Sequence, residues 1–116
     1  MKNFIHDGNT IELTAPAGGV VSGQGYVIGN RFVVAIQTAA AGARFVGAAR
    51  GVFQLPKDPA MATTDQQRAW WNDTTKLVKN ASASGLFMIG TCEGARLAAD
   101  TYQAVQLDEI AVVAVP

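Results

Sequence analysis

Few residues in this chain could do chemistry on a substrate. The single histidine, His6, stands beside Asp7, and a histidine–carboxylate pair is the usual start of acid–base catalysis. Neighbours in an extended segment point to opposite faces, so this pair reads as a polar N-terminal turn and not as a dyad. No second histidine exists to complete a metal triad. The single cysteine, Cys92, lies in the apolar run Leu86-Phe87-Met88-Ile89-Gly90-Thr91-Cys92, which predicts a buried, inert thiol. Gly18, Gly19, Gly23 and Gly25 cluster as in phosphate-binding loops. They match neither Gly-x-Gly-x-x-Gly nor a Walker loop, and no lysine follows them, so turns and close backbone approach explain them better. The inventory therefore points to no catalytic residue, no cofactor and no metal.

What remains are residues suited to contact. Trp70-Trp71 could form a stacking platform for a sugar or a base, with Arg68, Asn72 and Asp73 as polar neighbours. Consecutive tryptophans in a strand face opposite ways, so one belongs to the core and the other to a surface or interface. The sequence does not say which, and both are interface candidates. Arg44, Arg50 and Arg96 stand near small-residue linkers, where an oligomer could pair them with Asp100, Asp108 or Glu109.

Composition limits the partners. The 116 residues suit one domain, read as an arm or edge strand over 1–10 and a single β-rich domain over 11–116. Nine basic and nine acidic residues cancel, which disfavours nucleic acid. Charged residues are only 16%, against a usual value of about 25%, and such a surface favours association. One cysteine fits a reducing compartment, and no apolar run approaches the length of a membrane span.

The elements that must position these residues are short strands. Thr10-Ile11-Glu12-Leu13-Thr14 alternates, with Ile11 and Leu13 on one face, and ends at the turn Pro16-Ala17-Gly18-Gly19. Gly25–Ile28 and Arg31–Ile36 flank Gly29-Asn30 as a tight hairpin, the second strand apolar on both faces. Thr38–Ala43 is a small-residue linker with at most one helical turn. Strands follow at Arg44–Ala48 and Gly51–Leu55, with a bend at Arg50-Gly51. Thr64-Asp65-Gln66-Gln67 has the form of a capping box, predicting a short helix. A second hairpin joins Ala69–Trp71 to Lys76–Val78. Leu86–Cys92, Gln103–Leu107 and Ile110–Val115 complete the strands, the last as a closing strand. The run Arg31–Ile36 with its alanine-rich linker is weakly echoed by Leu86–Cys92 with its own. The fold class is all-β: a small compact barrel or sandwich of short strands with one or two helical turns at most.

The blocks Ile11–Gly23, Gly51–Lys57, Trp70-Trp71-Asn72-Asp73 with Lys76-Leu77-Val78, and Ile89-Gly90-Thr91 resemble, in order and spacing, the capsid cement (head decoration) proteins of phages and prophages. The resemblance implies a non-enzymatic structural subunit on the outside of a virion capsid, made in the bacterial host cytoplasm. It implies a homotrimer partnered by the major capsid protein, and the charge balance and short apolar runs add the expectation of no nucleic acid or membrane partner. The family's shell-contacting N-terminal segment maps onto Met1–Thr10. The expected interface residues are Phe4, Ile5, Pro16, Gly18, Gly19, Val20, Trp70 and Trp71. Two other readings stay open: a small β-barrel module binding carbohydrate or another ligand, and a different tail or connector component of a phage.

Overall fold

The computed structural model describes residues 10–107 and 112–116. The described chain is all-β, with no helix. Its strands are β1 (Thr10–Thr14), β2 (Gly25–Ile28), β3 (Arg31–Ala35), β4 (Arg44–Ala48), β5 (Val52–Pro56), β6 (Arg68–Asn72), β7 (Leu77–Lys79), β8 (Phe87–Cys92) and β9 (Tyr102–Leu107). They form two antiparallel sheets, ordered β1-β4-β3-β2 and β5-β9-β8-β6-β7. The second sheet curls until its edges meet, where the Asp58 N–H donates to the Val78 carbonyl at 3.1 Å.

Local signals set the hairpins. Gly29 takes φ +61° in the turn that pairs Ile28 with Arg31. Asn72 Oδ1 accepts the N–H groups of Thr74 (2.9 Å) and Thr75 (3.1 Å), shaping the turn between β6 and β7. Two expected elements differ. The capping-box contact forms, with the Thr64 N–H donating to Gln67 Oε1 at 2.7 Å, but no helix follows. Gln66 stands at φ +65°, which turns the chain out of a helical path and into β6. Of the closing strand expected over Ile110–Val115, the described residues make one bridge, Ala114 to Phe87, because the chain meets only the end of β8. The N-terminal arm and the turn at Asp7 lie outside the described residues.

β3 explains its own composition. Phe32 and Val34 point into the main core between the sheets, with Leu55, Trp71, Ile89 and Val105. Val33 and Ala35 point the other way, into a smaller core with Val20 and Phe45. Ile11 and Leu13 share a face, as their alternation predicts, and pack half-buried on that smaller core.

The weak echo in the sequence is a structural duplication. In the first half Val20 and Ala39 exchange backbone bonds (2.9 and 3.0 Å), Gly23 N–H donates to Ala35 O (2.7 Å), and Ala35 N–H donates to Gln24 O (3.0 Å). In the second half Thr63 and Arg96 exchange theirs (2.9 and 3.2 Å), Gln66 N–H donates to Cys92 O (2.8 Å), and Cys92 N–H donates to Gln67 O (2.8 Å). Thus β1, β2, β3 and β4 match β5, β6, β8 and β9, and β7 is an addition to the second unit. Through these bonds the Leu13, Ala35 and Phe45 face of the first sheet matches the Leu55, Cys92 and Gln103 face of the second. The opposite face of the first sheet, with Val27, Phe32 and Val34, closes over that second face, so the units stack front to back. Gly25 permits the approach: a Cβ there would meet the Phe32 ring at 2.6 Å and Trp71 at 3.1 Å.

The matched positions diverge in polarity. Where the first unit buries Ala15, Val20 and Phe45, the second buries Lys57, Thr63 and Gln103. Lys57 Nζ donates to the carbonyls of Asp58 (2.8 Å), Ala98 (3.1 Å) and Met61. The Thr63 hydroxyl bonds Gln103 Oε1, and Gln103 Nε2 donates to Gly94 O (3.0 Å) and Ala104 O (2.9 Å). No buried side-chain polar atom among the described residues lacks a partner, so this polar cluster meets the condition for residing in a core.

Candidate functional site

Between Ala15 and Ala43 the only charged residue is Arg31. The structure gathers that stretch into one lobe, a loop over residues 15–24 laid against a loop over 36–43. The Gly19 N–H donates to Pro16 O at 2.9 Å, with Gly18 at φ +91°, the positive value that the third position of a type II turn needs. Gly19, at φ +75°, lies so close to the second loop that a Cβ would sit 2.6 Å from Ala39 O. Pairing with Ala39 buries Val20, and alternation then turns Val21 outward, 60% exposed. Ile36, leaving β3, is 50% exposed on the other loop. The lobe is thus a charge-free surface of small residues with two protruding aliphatic side chains. The matching loops of the second unit carry Lys57, Asp58, Asp65, Glu93, Arg96 and Asp100.

The expected contact residues divide accordingly. Pro16 and Gly18 are exposed on the lobe and Gly19 is half-buried in it. Val20 is core, because the loop pair closes over it, and presents no surface of its own. Trp71 is likewise 0% exposed, since β6 turns it between the sheets, whereas Trp70 faces outward and is half-buried beside Arg68. Sheet stacking, which alternation alone cannot orient, buries Trp71, and pairing with Ala39 buries Val20. Phe4 and Ile5 lie outside the described residues. Val21 and Ile36 were not anticipated as contacts, although the charge-free stretch around them is visible in the sequence.

Among the described residues no three histidine, cysteine, aspartate or glutamate side chains gather into a metal-binding cluster. His6 and Asp7 are outside the described residues. Cys92 is fully buried in the main core, and burial pushes its thiol above the usual range. Native protein should therefore resist an aromatic disulfide reagent that reacts with the one thiol at once after denaturation; fast labelling of the native form would contradict this burial. Arg44 finds its partner within the chain, with Nε donating to Glu12 Oε1 at 3.0 Å, and both side chains are more than half exposed. Such a surface bridge adds little stability, of order 0–1 kcal/mol.

A family model described as phage cement protein matches residues 5–107. No curated protein and no solved structure matches the chain. The match spans both duplicated units and nearly the whole sequence: the chain belongs to the phage cement protein family and is a structural protein of the phage capsid.

Proposed function

We propose that the protein is a non-enzymatic decoration subunit that binds the outer surface of a phage capsid as a homotrimer and stabilises the shell. Its partner is the major capsid protein, and it joins the virion after synthesis in the bacterial host cytoplasm. The observation that carries this reading is the charge-free lobe with Val21 and Ile36 exposed. An apolar, small-residue surface loses little on leaving water and allows close backbone approach, the properties of an interface centre. Each contact of one subunit is small. A trimer engaging several shell subunits gains by effective concentration, so weak contacts sum to firm attachment. Phe4 and Ile5 in the N-terminal segment would extend the contact. Zero net charge disfavours nucleic acid as the main partner.

The test is cosedimentation with expanded, DNA-free capsids of the parent phage, alongside light scattering for the oligomeric state. The wild type is expected to be trimeric, to bind, and to raise the temperature at which the shell disrupts. The double variant Val21→Asp/Ile36→Asp should melt like the wild type yet bind at least about tenfold more weakly, because two carboxylates would be desolvated on docking. A monomer that leaves capsids unbound would sink the reading. Undiminished binding by the double variant would remove the lobe from the contact.

A further inference from the structure

The geometry points to a second site, on the outer face of β6 and β8: a groove for a saccharide that carries a carboxylate. The inference is independent of capsid attachment and rests on the comparison of the two duplicated units. The groove has a volume of about 630 Å³, is shallow and mostly open to solvent, and is lined by Gln66, Arg68, Trp70, Ser82 and Thr91. That is the size of a small-ligand cleft.

The lining is not what exposure alone demands. At the position matching Gly23 (φ +86°) stands Gln66, held in the same left-handed conformation at φ +65°. Glycine adopts this conformation freely and glutamine does not. The second unit thus keeps a strained backbone while placing an amide side chain in the groove, and a strained residue of this kind is a marker of function. At the position matching Gly25 stands Arg68, which pairs with Thr91 as Gly25 pairs with Val34. Two glycines of one unit are therefore matched by two groove side chains in the other. Trp70, also lining the groove, is a half-buried aromatic paired across the strands with the exposed Met88. Neither the Trp70 indole N–H nor the Arg68 guanidinium has a hydrogen-bond or ion-pair partner among the described residues. The wall is preset: Gln67 Nε2 donates to Asn80 O at 2.8 Å, and Asn80 Nδ2 donates to Ala62 O at 2.7 Å.

These groups have a common complement. The indole face takes the C–H side of a pyranose ring. An unpaired guanidinium takes a carboxylate in bidentate fashion. The Gln66 amide, whose Nε2 donates to Asp65 Oδ1 at 3.3 Å, offers its Oε1 as an acceptor, and the Ser82 and Thr91 hydroxyls both donate and accept, so together they suit ring hydroxyls. An acidic sugar supplies the ring, the carboxylate and the hydroxyls together, whereas an acidic peptide lacks the hydroxylated ring.

The experiment is titration of the intact protein with glucuronic acid, N-acetylneuraminic acid, glucose and a glutamate-rich peptide, followed by tryptophan fluorescence and calorimetry. One of the acidic sugars should bind, at least about tenfold more tightly than glucose or the peptide. Trp70→Ala and Arg68→Gln should each weaken it at least about tenfold, with melting temperatures near the wild type. Gln66→Gly is the decisive variant: it relieves backbone strain, so its melting temperature should not fall, while its affinity for the acidic sugar should. Absence of binding by both acidic sugars, equal binding of glucose, tighter binding of the peptide, or unchanged affinity in the three variants would each overturn the proposal.

Discussion

Trp71→Ala is expected to lower the unfolding free energy by about 3–5 kcal/mol, whereas the neighbouring Trp70→Ala should cost less than about 1.5 kcal/mol. The contrast follows from one residue of alternation. Trp71 is 0% exposed and packs edge-on against Phe32, with ring centroids 5.1 Å apart. Its Nε1–H donates to Asp73 Oδ1 at 3.0 Å, and that same oxygen accepts the Val27 N–H at 3.2 Å and Lys76 Nζ at 2.8 Å. Truncation would open a large void between the sheets and remove one donor from a carboxylate that joins the β6–β7 turn to β2. Gly25 shows how little slack exists, since its missing Cβ would already touch both rings. The surroundings therefore cannot collapse into the void, which places the cost toward the upper part of the usual range for such truncations. Urea denaturation monitored by circular dichroism measures both variants. Equal losses for the two would mean that the sheets do not stack as described.

Lys57→Met is the second large effect, with an expected loss of about 3 kcal/mol or more. Methionine fills nearly the same volume, so packing is not the issue. The ammonium group is the shared donor for the carbonyls of Asp58, Met61 and Ala98. Removing it leaves the part-buried carbonyls of Met61 and Ala98 without this donor, at about 1–3 kcal/mol for each that water cannot reach, while Asp58 O keeps the Met61 N–H at 3.2 Å. Lys79→Met provides the control. Its Nζ pairs with Asp58 Oδ2 at 2.6 Å, nearer the surface, and holds the Asp58 carboxyl below the usual carboxylate range, aided by the Ala60 N–H. That pair is partly hydrated on loss of one member, so the control should cost less than Lys57→Met. Chemical denaturation of the two variants at one pH decides the matter; a Lys57→Met loss no larger than the control would show that water replaces the ammonium.

Much of the architecture is carried by local rules that a single sequence displays. Period-two alternation marks Thr10–Thr14, and the two-sided apolar run marks β3 as a strand covered on both faces. The Gly29-Asn30 turn closes its hairpin because the requirement for a positive φ is a property of the residues themselves. The low charge of residues 15–43 and the resemblance to cement proteins are equally visible in the sequence.

The tertiary structure decided what depends on partners distant in the chain. Nothing local distinguishes Trp70 from Trp71; which one is buried depends on where the first sheet lies over the second. The capping box at Thr64–Gln67 forms its side-chain contact but not a helix, because backbone bonds between Gln66, Gln67 and Cys92 draw the chain into the sheet. Gln103 shares the parity of Val105 and Leu107, and its inward position is met by Thr63 and the carbonyls of Gly94 and Ala104, partners distant in the chain or set by the fold. The duplication survives in hydrogen bonds while its side chains have diverged, since backbone pairing tolerates any residue that fits the space. Strand positions and turns were therefore present in the sequence, and the faces they present, the polar core at Lys57 and the groove at Trp70 arose only when distant strands met.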